Sequence, residues 1–186
     1  MNTRRGGLVA SSLLIWLVPA LAVSRPALAV ARSALAVLLC ALAAHSALAG
    51  DKAPAFVLEN ATGDMVSLSD FRGQPLVLHF WATWCPYCKK LQPGLQALQE
   101  DYLDSTLVVV AVSFREDEGA DPQAALVRRG LSFSTLLSGD DVARMYYVRG
   151  TPTTFFIDRG GVIRGKTHTS DPEDPVLREM ADLISR

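Results

Sequence analysis

One junction limits this chain more than any other feature. Pro75–Trp81 (Pro-Leu-Val-Leu-His-Phe-Trp) is a β-prone, mostly apolar run. Four residues after Trp81 comes Cys85-Pro86-Tyr87-Cys88, which opens a stretch with Leu91, Leu95, Leu98 and Tyr102 at helical spacing. A continuous apolar run of this length suits a strand buried on both faces, which calls for helices above and below it. Pro86 suits the first turn of a helix, where a missing N–H costs nothing. The junction therefore reads as buried strand, tight turn and helix start, with the cysteine pair at the start. Pro93 falls inside that helix and is expected to kink it.

The flanking sequence fits an α/β domain. Ala53–Leu58 and Met65–Leu68 read as short strands around a turn at Asn60–Asp64, and Asp70–Gly73 reads as a further turn. Leu107–Val112 reads as a second buried strand, followed by an acidic loop at Phe114–Ala120. Asp121-Pro122 caps a helix that runs to Arg129 and stops at Gly130. Phe133–Leu137 is a short extended piece, and Asp140–Tyr147 a short helix with Asp140 as its cap. Thr153–Asp158 and Val162–Lys166 flank Arg159-Gly160-Gly161, a hairpin signal. Asp171-Pro172 is expected to cap a last helix ending near Ile184. The alternation predicts a central mixed sheet with helices on both faces.

Charge divides the chain in two. Residues 1–49 hold four Arg and no acid, whereas residues 50–186 hold 14 Lys and Arg against 19 Asp and Glu. The second part is a single domain in length, and its acidic balance argues against nucleic-acid binding, which wants a clustered basic face. The first part has the form of an export segment: basic residues, apolar runs at Leu8–Val23 and Ala34–Ala44, then Ala47-Leu48-Ala49, small at −3 and −1. A retained membrane anchor is the other reading. Leu8–Val23 is shorter than the ~20 residues a span needs, and Ser24, Arg25 and Arg32 interrupt anything longer, so cleavage after Ala49 is favoured. Val30–Ala49 also forms a complete signal peptide by itself, consistent with translation starting near Val30. Cys40, preceded by Leu39, lacks the small residue a lipoprotein acceptor wants and reads as apolar filler.

That leaves Cys85 and Cys88. Two cysteines exclude a four-cysteine zinc site within one chain. At i and i+3 on a helix they share a face and suit a disulfide. A structural staple over so short a loop stabilises little. A redox pair explains the setting as well as the spacing. The helix N-terminus favours an anion, lowers the pKa of Cys85 and supplies the thiolate that attacks disulfides. Cys88, one turn deeper and less exposed, resolves the mixed disulfide.

Phe80-Trp81-Ala82-Thr83-Trp84-Cys85-Pro86-Tyr87-Cys88 resembles the active-site signature of thioredoxin-like proteins. Ala53-Pro54-Ala55-Phe56, Gly63, Val66–Gly73 and Gly150-Thr151-Pro152-Thr153-Thr154-Phe155-Phe156-Ile157-Asp158 narrow the resemblance to the TlpA/ResA-like, redoxin-type branch. The resemblance implies a thioredoxin fold with an N-terminal β-hairpin extension. It implies thiol–disulfide exchange in the cell envelope, with no cofactor and no resident metal. Its implied partners are disulfide-bearing exported proteins, apocytochrome c among the candidates, and a membrane electron transporter as reductant. It also implies that Pro152 is cis and packs against the redox pair, leaving the Thr151 backbone free to pair with an extended substrate. Trp84, Pro86 and Tyr87 are expected to form an apolar docking rim.

Two departures from the pattern carry weight. Pro86-Tyr87 between the cysteines resembles glutaredoxins, whose potentials lie at roughly −200 to −230 mV against about −270 mV for thioredoxin. His79 stands six residues before Cys85, where thioredoxins carry a buried Asp. It is either a proton acceptor for Cys88 or a packed, hydrogen-bonded strand residue. His168 reads as an exposed residue after a strand. The alternative functions are a disulfide oxidant or isomerase and, from another class, a copper-binding assembly factor using both thiols. The paired motif disfavours a peroxidase.

Export ending after Ala49 makes Gly50 the mature N-terminus, to be read by N-terminal sequencing from the native host. A start upstream of Leu8 in the membrane fraction would establish an anchor instead.

Overall fold

The computed structural model describes residues 50–186. The export segment, its cleavage site and Cys40 lie outside the described residues.

Five strands form the main sheet: β3 (Leu76–Trp81), β4 (Val108–Ser113), β5 (Ser134–Leu136), β6 (Thr153–Ile157) and β7 (Ile163–Thr167), in the order β5-β4-β3-β6-β7. β3 runs parallel to β4 and antiparallel to β6, and β6 runs antiparallel to β7. β3 is the centre, and all six of its residues are buried. That explains its continuous apolar composition.

Side-chain alternation along β3 feeds two cores. Val77 and Trp81 face a layer built by α1 (Pro86–Asp101), α2 (Pro122–Val127) and α4 (Pro175–Ser185), through Leu91, Leu95, Leu126, Leu177 and Ile184. Leu76, Leu78 and Phe80 face α3 (Asp140–Met145) and the N-terminal hairpin of β1 (Val57–Glu59) and β2 (Met65–Ser67). Each fully buried Leu or Phe contributes about 1.5–3 kcal/mol relative to exposure.

The hairpin extension is tied across the second face. Lys52 bridges Val162 beside the β6–β7 turn, the Tyr146 hydroxyl donates to the Pro54 carbonyl at 2.8 Å, and Leu137 N–H donates to the Glu59 carbonyl at 2.8 Å. The segment therefore closes a face that α3 alone is too short to cover.

α1 is continuous across Pro93. Two expectations are corrected. The cap of α3 is Gly139, with no side-chain bond, so Asp140 is the first helical residue. The last helix starts at the second of two Asp-Pro pairs: Asp174 accepts from Val176 N–H at 3.0 Å and Pro175 is the first helical residue. Asp171 instead accepts from Glu173 N–H in a turn. The two dipeptides are locally alike, and only the packing of α4 on β6 and β7 separates them.

The turn before α4 rests on α1 at Gly94. A Cβ there would stand 2.5 Å from the Pro172 carbonyl oxygen and 2.7 Å from its Cα. Gly94→Ala is therefore expected to destabilise by about 1–3 kcal/mol, although alanine is the better helix former. Urea unfolding measures it, and an unchanged or raised midpoint would show that the turn yields freely.

Candidate active site

The site is assembled at the end of β3. After Trp81 the chain turns through Ala82-Thr83-Trp84, and Cys85 N–H donates to the Ala82 carbonyl at 3.1 Å. Cys85 is the cap of α1: its backbone is extended, Pro86 is the first helical residue, and its Sγ accepts the Cys88 N–H at 3.1 Å. Cys85 and Cys88 are joined as a disulfide with Cα atoms 5.4 Å apart. The sulfur of Cys85 thus sits where backbone N–H groups of a 16-residue helix lack intrahelical partners.

Both cysteines are buried in this oxidised form, Cys85 at 2% and Cys88 at 0% exposure. Cys85, expected to be the more exposed of the two, is nearly as covered as Cys88. Its neighbours are exposed instead: Trp84 is 49% and Tyr87 63% exposed, and Pro86 is exposed beside them. Cys85 is thus almost covered, with exposed apolar side chains on either side of it in the chain.

The opposite wall comes from β6. Its register pairs Thr153 with Phe80, which brings the start of β6 to the same end of the sheet as the cysteines. The Thr151–Pro152 bond is cis, Pro152 is buried, and Thr151 is half-buried.

His79 is fully buried and pairs with Thr154 across β3 and β6, its Nδ1 3.0 Å from Thr154 Oγ1. It shares its strand face with Val77 and Trp81, the face that α1 covers. Its Nε2 has no hydrogen-bond partner. Burial pushes its pKa down to about 3, and the nearby Arg129 cation adds to the shift. An imidazole this reluctant to charge is a poor resting place for the Cys88 proton near neutral pH. Its burial and its bond to Thr154 fit a packed, hydrogen-bonded strand residue.

Four contacts escaped the sequence reading. Glu116, in the acidic loop, accepts from Thr83 N–H at 2.9 and 3.0 Å and from the Thr83 hydroxyl at 2.6 Å. Trp84 Nε1 donates to the Arg115 carbonyl at 2.7 Å. Together they clamp the acidic loop to the turn before Cys85. The Arg129 guanidinium lies over the Trp81 ring, 5.6 Å from its centroid. His168 is exposed yet bonded, with Nδ1 3.0 Å from Thr153 Oγ1 and 3.3 Å from the Pro152 carbonyl oxygen. Thr153 Oγ1 in turn donates to the Gly150 carbonyl at 2.7 Å. None of these partners has a fixed spacing in sequence, so nothing local could have announced them.

The fold and the paired cysteines define a thioredoxin-like thiol–disulfide oxidoreductase. The chain belongs to the AhpC/TSA family, whose profile matches residues 49–166. It is similar to the thioredoxin-like protein YneN of Bacillus subtilis, at 38% identity over 72% of this chain and 79% of that protein. It is also similar to the thiol-disulfide oxidoreductase ResA of Halalkalibacterium halodurans, at 34% identity over 74% of this chain and 78% of the relative. Among solved structures, a thiol:disulfide interchange protein DsbE from Chlorobium tepidum is 34% identical. It superposes with a TM-score of 0.65 over 74% of this chain and 96% of its own.

The buried, neutral His79 has a consequence for acid stability. Unfolded histidine binds a proton near pH 6.5, while the folded side chain resists it down to about pH 3. Between those values the unfolded state holds more protons, so stability falls as pH drops, by at most about 1.4 kcal/mol per pH unit from this group. His79→Gln should therefore show a shallower loss than wild type between pH 6 and 4 in urea midpoints. Parallel profiles would mean that His79 is not held neutral.

Proposed function

We propose that this protein reduces disulfides in exported proteins of the cell envelope, with assembly clients such as apocytochrome c among its substrates. What carries the proposal is Cys85 Sγ at the cap of α1, accepting the Cys88 N–H. The same N–H stabilises a thiolate there once the disulfide is reduced.

The reaction runs in two exchanges. In the reduced protein the Cys85 thiolate attacks one sulfur of a client disulfide and the other client sulfur leaves as a thiolate. The Cys88 thiolate then attacks Cys85 Sγ, the second client sulfur leaves, and the Cys85–Cys88 disulfide forms. Two electrons pass to the client and two protons reach its thiols from Cys88 and solvent. A membrane electron transporter with its own dithiol reverses the sequence on the Cys85–Cys88 disulfide. Trp84, Pro86 and Tyr87 present apolar surface to the client, and the Thr151 backbone beside Pro152 pairs with an extended segment of it. His79 serves as a neutral polar neighbour beneath α1.

The purified protein with dithiothreitol should reduce insulin faster than its Cys85→Ser variant by at least tenfold. Cys88→Ser should accumulate mixed disulfides with clients, visible as thiol-sensitive bands, and Cys85→Ser should not. Equal turnover of wild type and Cys85→Ser would overturn the enzyme reading. Stable trapping by Cys85→Ser would exchange the roles of the two cysteines. A potential well above that of the client disulfides would turn the reading toward an oxidant or isomerase.

A further inference from the structure

A concave surface runs away from the redox end of the sheet along β7. Beside the Pro152 loop a cavity of about 270 Å³ is lined by Arg149, Thr153 and His168, together with Tyr147, Phe155 and Lys166. A larger one of about 580 Å³ continues along the strand to Lys52 and Arg164, and it shares those last three residues. The two are one groove. The strand register accounts for it: Lys166 pairs with Phe155, and Arg164, Lys166 and His168 alternate outward along β7 and the residue after it, all exposed.

The groove's charge runs against that of its domain. Residues 50–186 hold more acids than bases, yet the groove gathers Lys52, Arg149, Arg164, Lys166 and His168 around one carboxylate, Asp51. Arg164 is paired with Asp158, whereas Arg149 and Lys166 have no ion-pair partner among the described residues. Tyr147 stands where the two cavities meet, 85% exposed and with a left-handed φ of 53°. A bulky residue in that conformation costs about 1–2 kcal/mol, and here it holds an aromatic ring out over the groove.

The near end of the groove is fixed to the site. His168 Nδ1 reaches the Pro152 carbonyl oxygen and Thr153 Oγ1, so the groove wall and the Pro152 loop form one hydrogen-bonded unit. On the other flank, the loop carrying Glu116, Asp117 and Glu118 is clamped to Thr83. The redox pair therefore lies between this loop and the basic groove.

We propose that the β7 groove docks an extended, acidic segment of the client polypeptide, next to the cysteine that Cys85 attacks. The proposal rests on the thiol–disulfide reading. A concave, aromatic-lined basic channel that leads to the Pro152 loop matches a peptide carrying Asp or Glu and an apolar side chain. A flat anionic membrane would engage protruding bases rather than a channel.

The test uses fluorescent dodecapeptides of matched apolar content, acidic or basic, without cysteine, titrated by anisotropy at low salt. The acidic peptide should bind wild type roughly three- to tenfold more tightly than Arg149→Glu/Lys166→Glu, the scale of two exposed charge pairs. The basic peptide should not bind wild type measurably better than it binds the variant, and the charge-matched control Lys90→Glu/Arg128→Glu should behave as wild type. As cysteine mixed disulfides, the acidic peptide should react faster with wild type and lose that advantage in the groove variant. Hydroxyethyl disulfide should react equally with both. Equal affinity for the two peptides, or a preference that survives in the groove variant, overturns the groove. So does charge-dependent binding to phosphatidylglycerol vesicles without peptide preference, which would assign the surface to lipid. Failure of wild type to reduce hydroxyethyl disulfide would overturn the redox reading and leave the anisotropy result to judge the groove.

Discussion

The hydrogen bond from Cys88 N–H to Cys85 Sγ holds only while α1 begins where it does, and the rest of the structure serves to fix that point. β3 is locked on both edges, by β4 and β6. Its six buried residues cannot slip without turning one core face toward the other. The turn from Trp81 to Cys85 is pinned from outside by Glu116 and from within by the Ala82 carbonyl. A helix start fixed in this way aims its unpaired N–H groups at one sulfur. A shift of a single residue would aim them at Pro86, which has neither thiol nor N–H.

Rigidity of this kind has a cost beneath the pair. The α1 side of β3 contains polar groups that a purely structural core would avoid. His79 Nε2, both amide atoms of Gln92 and the terminal nitrogens of Arg129 are buried without hydrogen-bond partners. An unsatisfied buried group costs about 1–3 kcal/mol. Arg129 recovers part through the Trp81 ring and through its Nε bond to the Ala125 carbonyl at 3.0 Å. What these residues share is an inability to become negative. His79 stays neutral and Arg129 stays positive, so nothing on this side of β3 competes with a thiolate for the helix N-terminus. A carboxylate in the place of His79 would add a buried negative charge and disfavour the thiolates of the reduced pair.

How much of this could be read in the sequence depends on the range of the interactions. The buried strand, the helix start and the Cys85-Pro86-Tyr87-Cys88 motif are local patterns, and the mixed sheet followed from their alternation. The caps of α3 and α4 were misplaced because several residues nearby are equally good caps, and tertiary packing chooses among them. The hydrogen bonds of Glu116 and His168 were not legible because their partners, Thr83 and Thr153, are 33 and 15 residues away in sequence. Proximity across a sheet end has no periodic signature. The exposure of Cys85 was overestimated for a related reason: a helix start marks where an anion is stabilised, whereas the flanking rings of Trp84 and Tyr87 decide how much of it solvent reaches.

Reactivity and recognition are consequently separate in this molecule. The sulfur chemistry rests on main-chain N–H groups and a buried strand, held from outside by Glu116. In the proposed docking, recognition rests on exposed side chains: Trp84 and Tyr87 beside the pair, and Arg149, Lys166 and His168 along the groove. Exposed charges of this sort contribute little affinity each, about 0.2–1 kcal/mol, and act mainly on encounter rate and on the rejection of wrong partners. The separation lets one redox scaffold serve different clients by changing a few exposed residues while the cysteine pair keeps its environment. It also explains why the motif between the cysteines is so informative about chemistry and so uninformative about substrate. In the proposed docking, most of the residues that meet the client lie outside the motif and are brought together at the redox end of β3, β6 and β7.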